Sequence, residues 1–421
     1  MIILATILSG LPLLMSILFF IREDPPPQGF YVMFPKLIAS ALSPYWVIMG
    51  AVGAVIGWVY QALWAIPMGL VGAGMMIWYV WRSTRDHDGF EKAFGAGWSD
   101  QIPPEQARHM VQKRWTWFLK MKASPEPAWE RDLAFWTVPD TERELLCDIW
   151  RPADGNVSGL AFVFLHGSAW AVGDKDMLTR PFFRHLVAQG HTVMDVAYRL
   201  IPEVDIYGMI GDVKRAVAWI RANAHHYGVN PEKIVLGGGS AGGHLALLAG
   251  YAPQHPELTP GDIGDDDLSV CGVISYYGPT DLLVEHEHYM GMEFYAKEPA
   301  VPIGTQLDSS AGWRYPGRLD ILLGGHPQDT LGTYQLASPI THVHPGCPPT
   351  LLIQGDQDLL VPVDATRALY TRLVESGVPA INVVFPWTDH AFDLPFPQIN
   401  PAAQSALYDV DRFLALLLNK D

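Results

Sequence analysis

Cysteine is scarce. The three thiols in 421 residues, Cys147, Cys271 and Cys347, are scattered and form no C-x-x-C pair. That excludes a disulfide framework and favours a reducing compartment. Basic residues are also in deficit, 28 against 44 acidic ones, for a formal charge of −16. Phosphate backbones require a basic footprint, so a nucleic-acid partner is excluded. Charge of either sign is missing from two stretches, Met1–Ile21 and Leu37–Trp81. In a chain that is 49% hydrophobic, such stretches point to a membrane part.

Met1–Ile21 is long enough for one bilayer crossing and Leu37–Trp81 for two. The first has no Lys or Arg ahead of its apolar run and no small-x-small cleavage site, which favours an anchor over a cleaved signal peptide. Arg22-Glu23-Asp24-Pro25-Pro26-Pro27 ends it. Ser43-Pro44 opens a predicted second span, Pro44 to Leu63, and a tight hairpin leads to a third, Trp64 to Trp81. Gly53 and Gly57 make a G-x-x-x-G pair, and Gly69, Gly72, Ala73 and Gly74 make a second small-residue face. Such faces let helices approach closely in lipid. Aromatic residues, among them Trp46, Trp58, Trp64 and Trp81, gather towards the span ends as interfacial belts do. Three spans put Arg22, Lys36, Arg82, Arg85 and Lys92 on one side. The positive-inside rule then places that side, and everything after Trp81, in the cytoplasm. Residues 1–81 are thus expected to be a multi-pass integral membrane region in contact with membrane lipids.

Residues 82–130 read as a juxtamembrane connector. Pro103-Pro104-Glu105 starts a predicted amphipathic helix to about Lys122, with Arg108, Lys113, Arg114, Lys120 and Lys122 beside Met110, Val111, Trp115, Trp117, Phe118 and Leu119. Such a helix either lies on lipid headgroups or packs on the following domain. Ser124-Pro125-Glu126-Pro127 reads as a linker.

Residues 131–421 alternate strand and helix patterns. Predicted strands cover Arg143–Trp150, Leu160–Leu165, Thr192–Ala197, Lys233–Leu236, Val270–Tyr276, Thr350–Gln354 and Ala380–Phe385. Predicted helices cover Tyr207–His226, Asp364–Ser376 and Ala402–Leu418. This is an α/β pattern, a mostly parallel twisted sheet with helices on both faces. Ligands in such sheets bind beyond the carboxyl ends of the strands.

The chemistry-bearing motifs fall at those ends. Ile234-Val235-Leu236-Gly237-Gly238-Gly239-Ser240-Ala241-Gly242-Gly243-His244 runs from a β-branched strand through a glycine knot into a helix. Gly238-x-Ser240-x-Gly242 fits a nucleophile elbow, whose strained turn leaves no room for Cβ atoms. His166-Gly167-Ser168-Ala169-Trp170 follows an apolar strand and offers small-residue N–H donors for a developing oxyanion. Gly167, Ser168 and Ala241 are the candidate donors. Leu352 to Pro362 holds two aspartates at a strand end; Asp358 is preferred as the acid that steadies a histidine, and Asp356 as a brace of the turn. His390, in Thr388-Asp389-His390-Ala391-Phe392, is the candidate general base.

From about Asp132 to the end, the chain resembles the α/β-hydrolase superfamily, in the branch of hormone-sensitive-lipase-like and acetyl- or feruloyl-type carboxylesterases. The elbow, the His166–Trp170 loop with Gly173-Asp174-Lys175, Tyr198-Arg199-Leu200-Ile201-Pro202-Glu203, Asp212-Val213-Lys214, Tyr227-Gly228-Val229-Asn230-Pro231, Ala337-Ser338-Pro339-Ile340 and the Asp358 and His390 segments carry it. The resemblance implies an α/β-hydrolase fold and a Ser240-His390-Asp358 triad. It also implies hydrolysis of small or lipid-like carboxylic esters through an acyl-enzyme, with no cofactor and no metal. Three positions depart from the pattern. Ser168 replaces the second glycine of H-G-G-x-W, and Gln354 and Ala391 stand where His and Gly are commoner. The same triad also serves amidases, formamidases and carbohydrate O-deacetylases. Non-catalytic binders on this fold typically lose the serine or the histidine, and here both are present. The span of about 283–345, with Tyr289, Met290, Met292, Phe294, Tyr295, Trp313 and Tyr315, resembles a lid insertion. Glu285-His286-Glu287-His288 within it is expected to be a solvated helix or loop rather than a metal site, and His244 to pack on the elbow helix.

Overall fold

Long runs of β-branched and aromatic residues, as in Ala161-Phe162-Val163-Phe164-Leu165, suit strands covered on both faces. A computed structural model of the chain describes residues 1–21, 28–119, 126–290 and 316–419. Among these, eight strands form one sheet: β1 (Ala128–Thr137), β2 (Glu144–Arg151), β3 (Ala161–Leu165), β4 (Thr192–Val196), β5 (Ile234–Gly239), β6 (Gly272–Tyr276), β7 (Thr350–Gly355) and β8 (Ala380–Phe385). Their order is β1-β2-β4-β3-β5-β6-β7-β8. The β1/β2 and β2/β4 pairs are antiparallel and the rest are parallel. Helices Ile206–Ala222, Ala241–Tyr251 and Val363–Glu375 accompany the strands, with Pro401–Leu418 closing the chain's described part. The predicted strands all recur within a residue or two at most ends. The sequence reading missed β1, whose register with β2 shifts twice, so its inside–outside alternation is broken.

The connector differs from expectation. Its helix is only Pro104–His109, and residues 110–119 continue without helix; Lys120 to Pro125 lie outside the described residues. The cause is the buried polar face of helix Pro401–Leu418. Asp411 Oδ2 accepts Val111 N at 2.7 Å, Gln404 Oε1 accepts Thr116 N at 2.8 Å, and Arg114 pairs with both oxygens of Asp409 at 2.8 and 2.9 Å. A helix through 110–119 would draw the Val111 and Thr116 N–H groups into its own ladder and take one donor each from the buried Asp411 carboxylate and Gln404 carboxamide.

The N-terminal part holds helices Ile2–Ile17, Gln28–Ala41, Ser43–Val59 and Ala65–Thr84. The second was not anticipated, because its apolar run Phe30–Phe34 is short and is followed at once by Pro35 and Lys36. Close packing between helices comes from small residues. A Cβ on Gly53 would lie 2.6 Å from Ser9 N, and one on Gly72 would lie 2.6 Å from Leu13 N. The outward side chains are apolar: Ile3, Val55, Trp58, Leu70 and Ile77 are all more than half exposed. Among the described residues, Ile2–Phe20 alone is long and apolar enough to cross a bilayer as a single helix. Val32–Ala41 and Ser43–Val59 qualify only together, as a pair bent by 80°. Ser43–Val59 has 17 residues, about 25 Å at 1.5 Å per residue, against a hydrocarbon core of about 30 Å.

Candidate active site

The elbow is set by steric exclusion. Strand β5 stops at Gly239, the helix starts at Ala241, and Ser240 between them has φ 54° and ψ −122°. An L-residue adopts such a backbone only where its surroundings impose it. Here Ser240 N donates to Tyr276 O at 2.9 Å and Ser240 O accepts His244 N at 3.0 Å. A Cβ on Gly242 would stand 2.0 Å from Leu165 O, so no other residue permits the helix to pass so close to β3. The hydroxyl is thereby lifted above the sheet.

Two loops bring partners to it. His390 Nε2 lies 3.1 Å from Ser240 Oγ, and His390 Nδ1 lies 3.0 Å from each oxygen of Asp358. Of the two aspartates after β7, it is Asp358 that faces the imidazole. Its Oδ1 also accepts Leu360 N at 3.0 Å and Val361 N at 2.9 Å, and its Oδ2 accepts Gln354 Nε2 at 3.3 Å. Asp356 instead lines a cavity of about 340 Å³ with Arg82, Arg85, Arg114 and Arg367. The Tyr277 ring sits 4.4 Å from that of His390, and its hydroxyl donates to Asp393 at 2.6 Å.

Burial works against the charged form of His390, but the Asp358 carboxylate, through its charge and hydrogen bond, outweighs it. With Asp389 and Asp393 adding to this, the imidazole is held above its ordinary 6.5. A base must be neutral to accept the serine proton, so raising its pKa moves the acid limb upward. The kcat/KM profile of the protein is therefore expected to fall below an apparent pKa higher than 6.5, which a rate series from pH 5 to 9 measures.

The donor side is equally specific. No described residue accepts a hydrogen bond from Gly167 N or Ser168 N, and Ala241 N, at the first helical position, has no intrahelical acceptor. A Cβ on Gly167 would lie 3.4 Å from Ser240 Cβ, so this loop abuts the serine. Ser168, Ala169 and Trp170 all have positive φ, at 101°, 53° and 58°. The turn is held from behind. Tyr198 Oη donates to His166 O at 2.6 Å, and Trp170 Nε1 donates to His244 Nδ1 at 3.2 Å. His244 Nε2 then donates to Ala337 O at 2.8 Å, and burial pushes this imidazole down to about 4. It is a neutral strut between the donor loop and the segment before β7.

Three neighbours escaped the sequence reading as functional: Gln354, Asp389 and Tyr277. Gln354 and Asp389 flank the acid and the histidine in sequence, which was the available signal. Nothing local marks Tyr277. One other expectation changes. Glu285 and His286 sit on helix Leu282–Met290 but are buried, not solvated, with the His286 ring edge-on to His326 and Tyr334. Met292, Phe294, Tyr295, Trp313 and Tyr315 of the lid-like insertion lie outside the described residues, as do the side chains of Tyr289 and Met290. No group of three or more His, Cys, Asp or Glu among the described residues is arranged to hold a metal ion.

The BD-FAE family profile matches residues 147–373, more than half of the chain and the stretch that carries Gly167, Ser168, Ser240, Ala241 and Asp358. The chain belongs to the BD-FAE family. Similar proteins include LipM of Mycobacterium tuberculosis, a probable carboxylic ester hydrolase, at 32% identity over 59% of this chain and 53% of that one. The esterase LipQ of the same organism is 32% identical over 60% of this chain and 55% of its own. The chain thus spans about half the length of these curated relatives. Among solved structures, the propionate-bound esterase 2 of Thermogutta terrifontis superposes with a TM-score of 0.52 at 25% identity, covering 70% of this chain and 95% of that one. A truncated carbohydrate esterase from gut microbiota shares the fold, with a TM-score of 0.53 at 22% identity over 71% and 99%. This BD-FAE member has the α/β-hydrolase fold. His390 and the N-terminal helices lie outside the matched stretch.

Proposed function

We propose that this protein is a membrane-anchored serine hydrolase of carboxylic esters, with Ser240 as nucleophile, His390 as general base and then acid, and Asp358 as its orienting carboxylate. The single observation that carries the reading is the hydrogen-bond chain from Ser240 Oγ through His390 to Asp358 at 3.1 and 3.0 Å. Ser240 Oγ attacks the ester carbonyl as His390 Nε2 takes its proton. The N–H groups of Gly167, Ser168 and Ala241 receive the oxyanion. The imidazolium, steadied by Asp358, returns the proton to the departing alkoxide. Water then attacks the acyl-enzyme by the same route, releasing the acid and restoring Ser240. Support also comes from relatives named as ester hydrolases and from a neighbour at 25% identity and TM-score 0.54, the Thermogutta terrifontis esterase 2 phosphonylated by sarin.

In this reading, residues 1–81 are a multi-pass anchor in which Ile2–Phe20 is the one helix, among the described residues, that spans by itself, 82–130 a connector and 131–421 the hydrolase domain on the cytoplasmic side. The outward apolar side chains of the bundle and the small-residue contacts inside it support the anchor. Arg82 and Arg85 at the end of helix Ala65–Thr84 support the orientation. The test is fluorophosphonate labelling of the purified, detergent-solubilised protein, followed by rates on p-nitrophenyl esters, an anilide and an acetylated sugar. Labelling together with turnover of a short-chain ester is the expected result. A protein that resists the probe, or that is released from membranes by alkaline carbonate, refutes the corresponding half of the reading.

A further inference from the structure

The serine and the donor loop leave β5 and β3, in the middle of the sheet. The acid and the histidine leave β7 and β8, and β8 is the edge strand. A loop beyond an edge strand has no further strand to hold it, so its support must come from elsewhere. In this chain it comes from the N-terminal helices. Gln357 Nε2 donates to Phe19 O at 3.0 Å. Thr388 Oγ1 and Tyr79 Oη are 3.2 Å apart. The Trp387 ring packs against Trp78, Phe20 and Phe19 at centroid distances of 4.1, 5.0 and 5.6 Å. Lys36 Nζ lies 3.8 Å from Asp389 Oδ2, both side chains being almost wholly buried. Residues 357, 387, 388 and 389 all lie within three positions of Asp358 or His390.

The last contact is the decisive one. Asp389 Oδ1 accepts both His390 N at 2.7 Å and Leu359 N at 3.0 Å, so one carboxylate ties the histidine loop to the acid loop. Its Oδ2 has no hydrogen-bond partner among the described residues, and the Lys36 ammonium is the cation that faces it. We infer that the N-terminal helices are part of the catalytic apparatus as well as an anchor: Lys36 keeps Asp389 ionised, and Asp389 holds Asp358 and His390 in register. Lys36 is thus a positioning residue. The inference rests on reading Ser240, His390 and Asp358 as the reacting set.

The charges around Asp389 make the role testable. Burial and the Asp358 charge push its carboxyl up to about 6, while Lys36 and the two backbone N–H groups hold it down. His390, Asp393 with its partner Tyr277, and Tyr79 with Asp356 complete the titratable surroundings. Without Lys36 the carboxyl rises further and is protonated near neutral pH. A protonated acid is a weaker acceptor for the two N–H groups that join the loops. Raising the pH through the new value restores the charge and the brace.

The experiment uses the full chain in detergent. It compares the parent with Lys36→Met and Lys36→Arg for kcat and KM on a p-nitrophenyl ester from pH 6 to 9, with active sites counted by fluorophosphonate. For Lys36→Met, kcat per labelled site is expected to fall about 10- to 100-fold at pH 7. KM should change little, part of the loss should return towards pH 9, and Lys36→Arg should recover most of it. A loss that is uniform across pH, or an unchanged kcat, overturns the inference. If Lys36→Met fails to fold, Asp389→Asn and the double variant Lys36→Met/Asp389→Asn replace it, since the double removes both charges of the pair together. The two are expected to show the same kcat deficit, and a multiplied deficit overturns the coupling. A parent that turns over ester without Ser240 rejects the site reading itself. A Ser240-dependent parent with unaffected Lys36 variants rejects this inference alone.

Discussion

Replacing Ser240 by alanine is expected to lower kcat/KM for a short-chain p-nitrophenyl ester by at least about 10⁴-fold and to abolish fluorophosphonate labelling. The hydroxyl is the one atom that forms the covalent bond, and the Gly167, Ser168 and Ala241 donors can act on an oxyanion only after that attack. Residual turnover above water should come from those donors alone. Folding should survive. The strained backbone at φ 54° costs alanine about what it costs serine, and among the described residues Ser240 Oγ makes one side-chain hydrogen bond, to His390. A melting temperature within a few degrees of the parent, alongside lost activity, is the expected pair of measurements. Retained hydrolysis would show that the elbow is a structural turn and that another group carries the reaction.

Asp358→Asn is expected to cost about 10³- to 10⁴-fold in kcat, whereas Asp356→Asn should stay within about twofold of the parent. The argument is one of donors and acceptors. Oδ1 of Asp358 already accepts Leu360 N and Val361 N, so the amide oxygen of an asparagine would remain there. The amide NH₂ would then occupy the place of Oδ2, facing His390 Nδ1 and the Gln354 amide donor. An N–H aimed at Nδ1 drives the imidazole proton to Nε2, where it can no longer accept from Ser240. The loss of charge also removes the main influence holding the His390 pKa up. The acid limb of any residual activity should therefore move to lower pH. Equal losses in the two variants would remove the distinction between these neighbouring aspartates.

Much of the hydrolase region is legible in its local patterns. Apolar β-branched runs bounded by glycine mark β3, β5, β7 and β8, and the strand-to-helix glycine knot points to Ser240 because few other folds need so many absent Cβ atoms in one turn. The order of the Ser240, Asp358 and His390 segments depends only on the linear chain. Other features were not legible. Residues 110–119 have an aromatic and basic composition that suits an amphipathic helix, yet the Asp411 carboxylate and the Gln404 carboxamide on the last helix take the N–H groups of Val111 and Thr116. Glu285 and His286 look like surface residues until the packing of their helix is known. Helix Gln28–Ala41 has a short hydrophobic run, Phe30–Phe34, cut by Pro35, and nothing in it marks Lys36 as a partner of the histidine loop.

The division has a physical basis. Chain-local pattern, namely the apolar runs that suit buried strands and the glycines gathered around Ser240, is written within a few residues and marked the α/β framework and the elbow, although the clash that forbids a Cβ at Gly242 comes from Leu165 O on the neighbouring strand β3. Which cation faces Asp389, and which connector N–H groups the last helix takes, depend on groups some 300 to 350 positions apart. Electrostatic and hydrogen-bond complementarity of that kind exists only once the chain has closed on itself, so the tertiary structure alone decided it.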